Sequence, residues 1–426
     1  MYLTDDEKRL LDGHEGPARR AAMQLLVRYA TVLGAERLVD THNVAGGGVA
    51  SLPNRRDVVA NPMDMDATFA LLSLDSDESF EIPPVKASTY KLIEGMDPRH
   101  WKIQGVSEQT KAIVERSQAF CGKIGISKCN TCTPYQVGNV PVFGEHCAWM
   151  ESSAVVYINS VLGARTNCEG AQSTGAASLV GKIPYWGLHT PQGRRATHHV
   201  RVECAIDDMM DWGLMGYWLG ETLDDAIPVL TGQLGPGELR KLKHFGAAAA
   251  TSGGIEMYHL VGRTPEAPTL EAALGGRPAQ DELVFTDAHR RQAYAHLNSA
   301  TDASLDFIML GCPHNSLEQL RLIVRLLEGR KVHADVALWI FTPNALRDVA
   351  DRQGYTEILE KAGAVLMSDT CPALGRVKPE GARVVATDSC KQAHYLPATI
   401  GLQTHFGSVE DCIESAVAGR WVGRLR

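Results

Sequence analysis

DFIMLGCPHNS (residues 306–316), continued by DVALWIFTPN (335–344), AVLMSDTC (364–371) and RVVATDSCKQAHY (383–395), is the stretch that decides the fold. Each segment opens on a short apolar run, and helical patterns lie between the runs. That alternation predicts a parallel sheet with crossover helices, since parallel neighbours need a connection long enough to hold a helix. The turns agree: Ser316 and Gln319 have capping-box spacing, and Thr342 stands before Pro343 as an N-cap stands before N1. In such a sheet the loops after the strands leave at one edge, where ligands bind. Three of them carry cysteine, namely Cys312, Cys371 and Cys390. Sulfurs remote in sequence are therefore expected to meet at that edge.

Working upstream, residues 118–170 are the densest stretch in sulfur and polar side chains, with Cys129 and Cys132 spaced as C-x-x-C. Within it, Glu145–Leu162 reads as a buried helix, polar at its start and closed by Gly163. At the N-terminus, Thr4 with Glu7 forms a capping box for a helix ending near Gly13. Pro17 opens a second helix whose apolar face is Ala22, Leu25, Leu26, Tyr29, Val32 and Leu33, ended by Gly34. The glycines at 46–48 permit close approach of a ligand to the backbone or serve as a turn. Residues 180–300 mix glycine-rich and helical pieces, with a surface insertion expected at 261–282. Two regions are expected, 1–300 and a C-terminal α/β domain over 301–426.

The totals narrow the function. A chain of 426 residues with 44% apolar side chains can bury a full core, and its net charge of -8 is the wrong sign for a phosphate-neutralising nucleic-acid binder. No apolar run reaches the roughly 18–20 residues of a membrane span, and MYLTDDEKRLL is charged where a signal peptide is apolar. Neither nucleic acid nor membrane is expected as a partner, and a cytoplasmic location is expected. Ten cysteines without a secretory signal read as reduced thiols, some of them ligands or catalysts.

Thiolates gathered at a sheet edge suit a soft metal, either zinc or an iron–sulfur cluster. A zinc site needs a second closely spaced pair beside Cys129 and Cys132, and only His146 with Cys147 lies near. A thioredoxin-like pair is disfavoured, because NTCTPYQVGNVP does not open a long helix. TCTPY (131–135), FGEHCAWMESSAVVYINSVLGARTN (143–167), GCPHNS (311–316), SDTC (368–371) and TDSCKQAHY (387–395) together resemble aconitase X, and the similarity runs from LTDDEKRLLDGHEG almost to the C-terminus.

That resemblance implies an α/β fold: an aconitase-like large subunit of parallel-sheet α/β domains, with the swivelling domain absent from this chain and supplied by a small subunit in a hetero-oligomer. It implies Cys132, Cys312 and Cys371 as ligands of an iron–sulfur cluster (4Fe–4S or 2Fe–2S) or a mononuclear iron, with one iron position open to a small hydroxy-acid substrate. It implies a hydro-lyase, acting on cis-3-hydroxy-L-proline or alternatively on mevalonate 5-phosphate. HNVAGGGVASLPNRRD and IPPVKASTYKLIEGMDPRHWKIQGV favour the first. A cluster-bearing sensor without turnover is the alternative of another class, and it requires a basic surface that the charge balance opposes.

Other residues carry two readings each. His314 contacts substrate or a cluster sulfur, or only caps its loop; Ser316 contacts substrate or is a helix N-cap. Arg165 and Asn167 clamp a carboxylate or finish a helix end. Ser389 and Lys391, just beyond RVVAT, are expected to act on substrate, while His394 packs. Glu151 and Ser152, with Glu145 and His146, point at the site or form a satisfied core network. Cys129 and Cys390 are spare ligands; Cys121, Cys147, Cys168, Cys204 and Cys412 are structural thiols.

Overall fold

A computed structural model of the chain describes residues 1–46 and 64–426, so two of the three glycines at 46–48, with most of the HNVAGGGVASLPNRRD stretch, lie outside the described residues. The first region begins with α1 (Asp5–Leu11), where Thr4 and Glu7 close the expected capping box, and α2 (Pro17–Val32), opened by Pro17. Ala22, Leu25 and Leu26 enter the core, but Tyr29 is half-buried and Val32 is 86% exposed. The expected apolar face thus stops early, because the last turn projects past the core toward the left-handed turn at Gly34. Then follow β1 (Leu38–Asp40), β2 (Asn43–Ala45), α3 (Met65–Ser73), β3 (Ser88–Tyr90), α4 (Glu108–Lys123), β4 (Cys147–Trp149), α5 (Ser152–Tyr157), α6 (Ala171–Val180) and β5 (Lys182–Pro184). β3-β2-β4 form a parallel sheet and β1-β5 an antiparallel pair.

The helix expected over Glu145–Leu162 is corrected. Cys147–Trp149 is the buried strand β4, paired with β2; Glu151 caps α5 through the Ala154 N–H; and Ile158–Leu162 widens into a π-turn ended by Gly163. An apolar run buried on all sides looks alike as strand or helix, and here pairing with β2 decides.

The middle region is β6 (His198–Ile206), α7 (Met209–Leu223), β7 (Pro228–Leu234), α8 (Leu239–Ser252), β8 (His259–Leu260), α9 (Leu270–Leu274), β9 (Asp281–Phe285) and α10 (Asp287–Leu297). Its parallel sheet has the order β8-β7-β6-β9. The segment 261–282 is more than a surface insertion, since it supplies α9 and the buried Ala267 and Ala273.

The last region contains β10 (Phe307–Leu310), α11 (Leu317–Leu327), β11 (Ala337–Thr342), α12 (Asn344–Arg352), α13 (Tyr355–Ala362), β12 (Ala364–Ser368), α14 (Pro372–Gly375), β13 (Val384–Thr387), α15 (Cys390–Ile400), β14 (Gln403–Phe406) and α16 (Val409–Ala418). The four expected strands are present, and β14 joins them in an all-parallel sheet of order β12-β11-β10-β13-β14. α11 buries Leu320, Ile323, Val324 and Leu327 on one face and is capped by Ser316. Thr342 is not an N-cap: it ends β11 and donates to the Asn315 carbonyl, while Asp369 accepts the Asn344 N–H at 2.9 Å. The chain moves outward from β10 to β12 and then crosses back to β13. The order therefore reverses between β10 and β13, which opens a crevice beyond their carboxyl ends. Among the described residues no helix is long and apolar enough to cross a membrane.

Candidate active site

Past β10 the backbone turns at Gly311, whose φ is 110°. A Cβ there would lie 2.3 Å from the Phe341 carbonyl oxygen, so only glycine lets β10 end this close to β11 and swing Cys312 over the edge. Cys371, beyond β12, caps α14, and its sulfur accepts the Leu374 N–H at 3.5 Å. Cys132 arrives from the first region, in the loop between α4 and β4, and its sulfur accepts the His314 N–H at 3.3 Å. Gln392 on α15 donates to the Cys312 sulfur at 3.1 Å, and the Ser389 hydroxyl also bonds it.

All three thiols are buried and line one cavity of about 490 Å³ at the crevice, together with Glu151, Ser152, Lys391 and Gln392. Burial pushes the Cys371 thiol up to about 12, with the Cys312 sulfur adding to the effect. Cys132 is raised well above the ordinary thiol range by burial and then by Glu151 and Cys312. Cys312 is also raised by burial, although Lys391 opposes that rise. Without a cation the thiols hold their protons, and a bound metal would displace them. Among the described residues no three His, Cys, Asp or Glu side chains form a ready single-ion constellation. The thiols stand around a space rather than at one point.

Lys391 reaches into this cavity and meets Glu151 at 2.5 Å, with the Ser152 hydroxyl 3.3 Å away. Burial alone would lower the Lys391 pKa, but the Glu151 carboxylate and the Cys312 sulfur outweigh it and hold the amine protonated. Burial likewise opposes ionisation of Glu151, and Lys391, the Ser153 hydroxyl and the Ala154 N–H overcome it and lower its pKa. A largely buried, charged pair, each side chain 14% exposed, thus faces the thiols. Lys91, also on the wall, is tied to Glu94 and to Ser117. The rest of the wall is largely apolar, including Leu92, Ile93, Met150 and Leu374.

Other expected site residues lie elsewhere. His314 is fully buried behind the wall, its ring between the Thr131 hydroxyl and the Thr370 carbonyl. Ser316 is spent on the α11 capping box. Arg165 bonds the His189 carbonyl, and Asn167 holds the backbone of Trp186 and Leu188. Ser389 caps α15 and stays off the cavity wall, touching the site only through its hydroxyl on the Cys312 sulfur, and His394 packs against the Tyr217 hydroxyl. Glu145 caps the Val142 N–H, and His146 pairs with His189. Cys129 is half-buried and off the wall. Cys390 points away from the cavity into the middle region's core, where its sulfur would lie 3.0 Å from a Cβ on Gly213.

The sequence does not single out Gln392 or Lys243. Gln392 was legible as the third residue after an N-cap beside Lys391. Lys243 sits in LRKLKHF, which reads as a solvated helix face, yet it is fully buried and its pKa falls to about 8 through burial.

Known proteins match along the whole chain. Family descriptions fit as the aconitase X first domain over residues 1–192, the second domain over 196–295 and the third domain over 305–418. The phosphomevalonate dehydratase large subunit of Methanocaldococcus jannaschii is 35% identical over 424 residues, covering 97% of this chain and 100% of its own. The cis-3-hydroxy-L-proline dehydratase of Pseudomonas aeruginosa is 34% identical over 423 residues, covering 97% of this chain and 70% of its own length. The holo-form crystal structure of Thermococcus kodakaraensis aconitase X superimposes with a TM-score of 0.81 at 31% identity, over 98% of this chain and 100% of that chain.

Proposed function

This chain belongs to the aconitase X family and is a hydro-lyase, and from that premise we propose that it dehydrates cis-3-hydroxy-L-proline to Δ1-pyrroline-2-carboxylate in the cavity walled by Cys132, Cys312 and Cys371. The observation that carries the substrate choice is the Lys391–Glu151 pair beside the thiols. One cation and one carboxylate in contact complement a zwitterionic imino acid.

The donor set fits an iron group: three buried thiols share one cavity, and each sulfur already accepts an N–H. Cys132, Cys312 and Cys371, spread around that cavity rather than gathered at a single-ion site, would hold an iron–sulfur cluster. When bound, its iron supplies a Lewis acid for the departing hydroxyl.

The chain's own residues bind and orient. Lys391, kept protonated, meets the substrate carboxylate, and Glu151 meets the ring ammonium. Glu151 does not serve as the base, because its oxygens already accept from Lys391, Ser153 and Ala154. The apolar wall excludes water from a site whose reaction releases it. The proton acceptor is assigned to a small subunit that completes the site, as relatives named large subunit imply.

A second reading, dehydration of mevalonate 5-phosphate, has the support of relatives at 35% and 37% identity that bear that name. A phosphate dianion is repelled by carboxylates, and on the described wall both cations have one beside them, Lys91 with Glu94 and Lys391 with Glu151, an arrangement that suits a zwitterion better. The test is turnover of each substrate by anaerobically purified protein combined with its small subunit. Activity on cis-3-hydroxy-L-proline is expected. Activity confined to the phosphate ester overturns the substrate assignment, and iron-loaded protein inert on both points to the sensor.

A further inference from the structure

We propose that His314 is a positioning residue that holds the three thiol-bearing loops in register; this rests on the reading that Cys132, Cys312 and Cys371 share one iron group. His314 lies two residues after Cys312, and every polar atom it has is committed. Its N–H donates to the Cys132 sulfur at 3.3 Å. Its Nδ1 meets the hydroxyl of Thr131, the residue before Cys132, at 2.9 Å. Its Nε2 meets the carbonyl of Thr370, the residue before Cys371, also at 2.9 Å. A carbonyl can only accept, so Nε2 carries the hydrogen, and the Thr131 hydroxyl donates to Nδ1.

The backbone carbonyl is engaged too. It accepts from the buried Lys243 ammonium at 2.8 Å and from the Gln136 amide at 3.0 Å. Gln136 also donates to the Thr133 hydroxyl, which is paired with the Thr131 hydroxyl at 3.0 Å. The circuit from His314 through Thr131, Thr133 and Gln136 therefore closes on His314 itself. Cys132 belongs to a loop of the first region, whereas Cys312 and Cys371 belong to loops of the last sheet. One imidazole behind the cavity wall joins these three loops, and no atom of it is left to act on a substrate. Loss of a partner held behind a metal's ligands weakens metal retention by roughly 10- to 100-fold, and that is the size of effect expected.

The experiment compares anaerobically purified wild type, His314→Ala, His314→Gln and Thr131→Val. It reads iron and sulfide per chain, the rate of iron loss to a chelator, and the melting temperature. Faster iron loss in His314→Ala, partial rescue by the amide of His314→Gln and a milder loss in Thr131→Val are expected. Wild-type iron retention in a folded His314→Ala overturns the proposal. If His314→Ala does not fold, Thr131→Val decides, and unchanged retention there counts against the proposal. Wild type without iron, by contrast, defeats the iron reading itself and is distinguishable from either result.

Discussion

Cys312 and Cys371 stand just beyond strands β10 and β12 of a five-stranded parallel sheet, whereas Cys132 sits in the loop between α4 and β4 with no strand directly behind it. The sheet fixes its two sulfurs through strand register and the switch in strand order. The first region must be tied to that frame, and the hydrogen bonds that His314 makes with the Thr131 hydroxyl and, through its N–H, with the Cys132 sulfur do so. One region builds a site by topology, and the other by side-chain ties across a seam.

The largest effect is expected where the two regions exchange charge. Lys391→Met removes the cation from α15 and leaves Glu151, from the first region, largely buried without its partner. Turnover should fall to background, and denaturant titration should show a loss of about 3–5 kcal/mol; a stability change near zero would mean the pair is solvated. A glycine comparison probes the two building modes. Gly311→Ala places a methyl 2.3 Å from the Phe341 carbonyl at a positive φ, whereas Gly138→Ala in the first region's loop also has a positive φ but meets nothing within 4 Å. Strain plus overpacking predicts a loss of about 2–5 kcal/mol at Gly311 and roughly 1 kcal/mol at Gly138. Equal denaturation midpoints would remove the distinction.

Acid should loosen the first region. Burial, with His146 and Arg194 adding, pushes the pKa of His189 down to about 3, below the ordinary value near 6.5 of an unfolded histidine. A base with a depressed folded pKa contributes stability that is whole above about 6.5 and is lost as pH falls toward 3. Between pH 7.5 and 5.5 the expected cost is about 1 kcal/mol. The slope of melting temperature against pH should flatten in His189→Gln, and an unchanged slope would assign the acid sensitivity to other groups. The smallest effect is at the edge of the sheet domain: Ser316→Ala removes the α11 cap for about 1 kcal/mol, with the iron content unaltered. Iron loss in that variant would give Ser316 a part in the site beyond capping.

The two regions also differ in how far the sequence exposes them. Strands β10 to β13 are legible because each apolar run is framed by turn residues and helical periods. β14, QTHF, is too polar to stand out, and β4 hides in an apolar run that fits helix and strand alike. Cys312 and Cys371 follow from their place after strands. Cys132 does not, and only resemblance to a known family singles it out. Cys390 shows the limit of positional reasoning, for it too follows a strand, yet as the first residue of α15 it turns toward Gly213 while its neighbour Lys391 takes the cavity. Arg165 and Asn167 have the right chemistry for a carboxylate clamp, but neither lines the cavity: Arg165 reaches the His189 carbonyl and Asn167 holds the backbone of Trp186 and Leu188. Lys243 is hidden by composition, since a basic, amphipathic run gives no sign that one lysine serves a buried carbonyl.

The most direct test of thiols from both regions serving one iron group is iron and sulfide analysis of anaerobically purified wild type beside Cys132→Ser, Cys312→Ser and Cys371→Ser. Iron in the wild type and its loss in all three variants, with melting temperatures showing folded protein, is the predicted result. Full iron in folded Cys132→Ser would contradict the joining of the two regions at one metal centre.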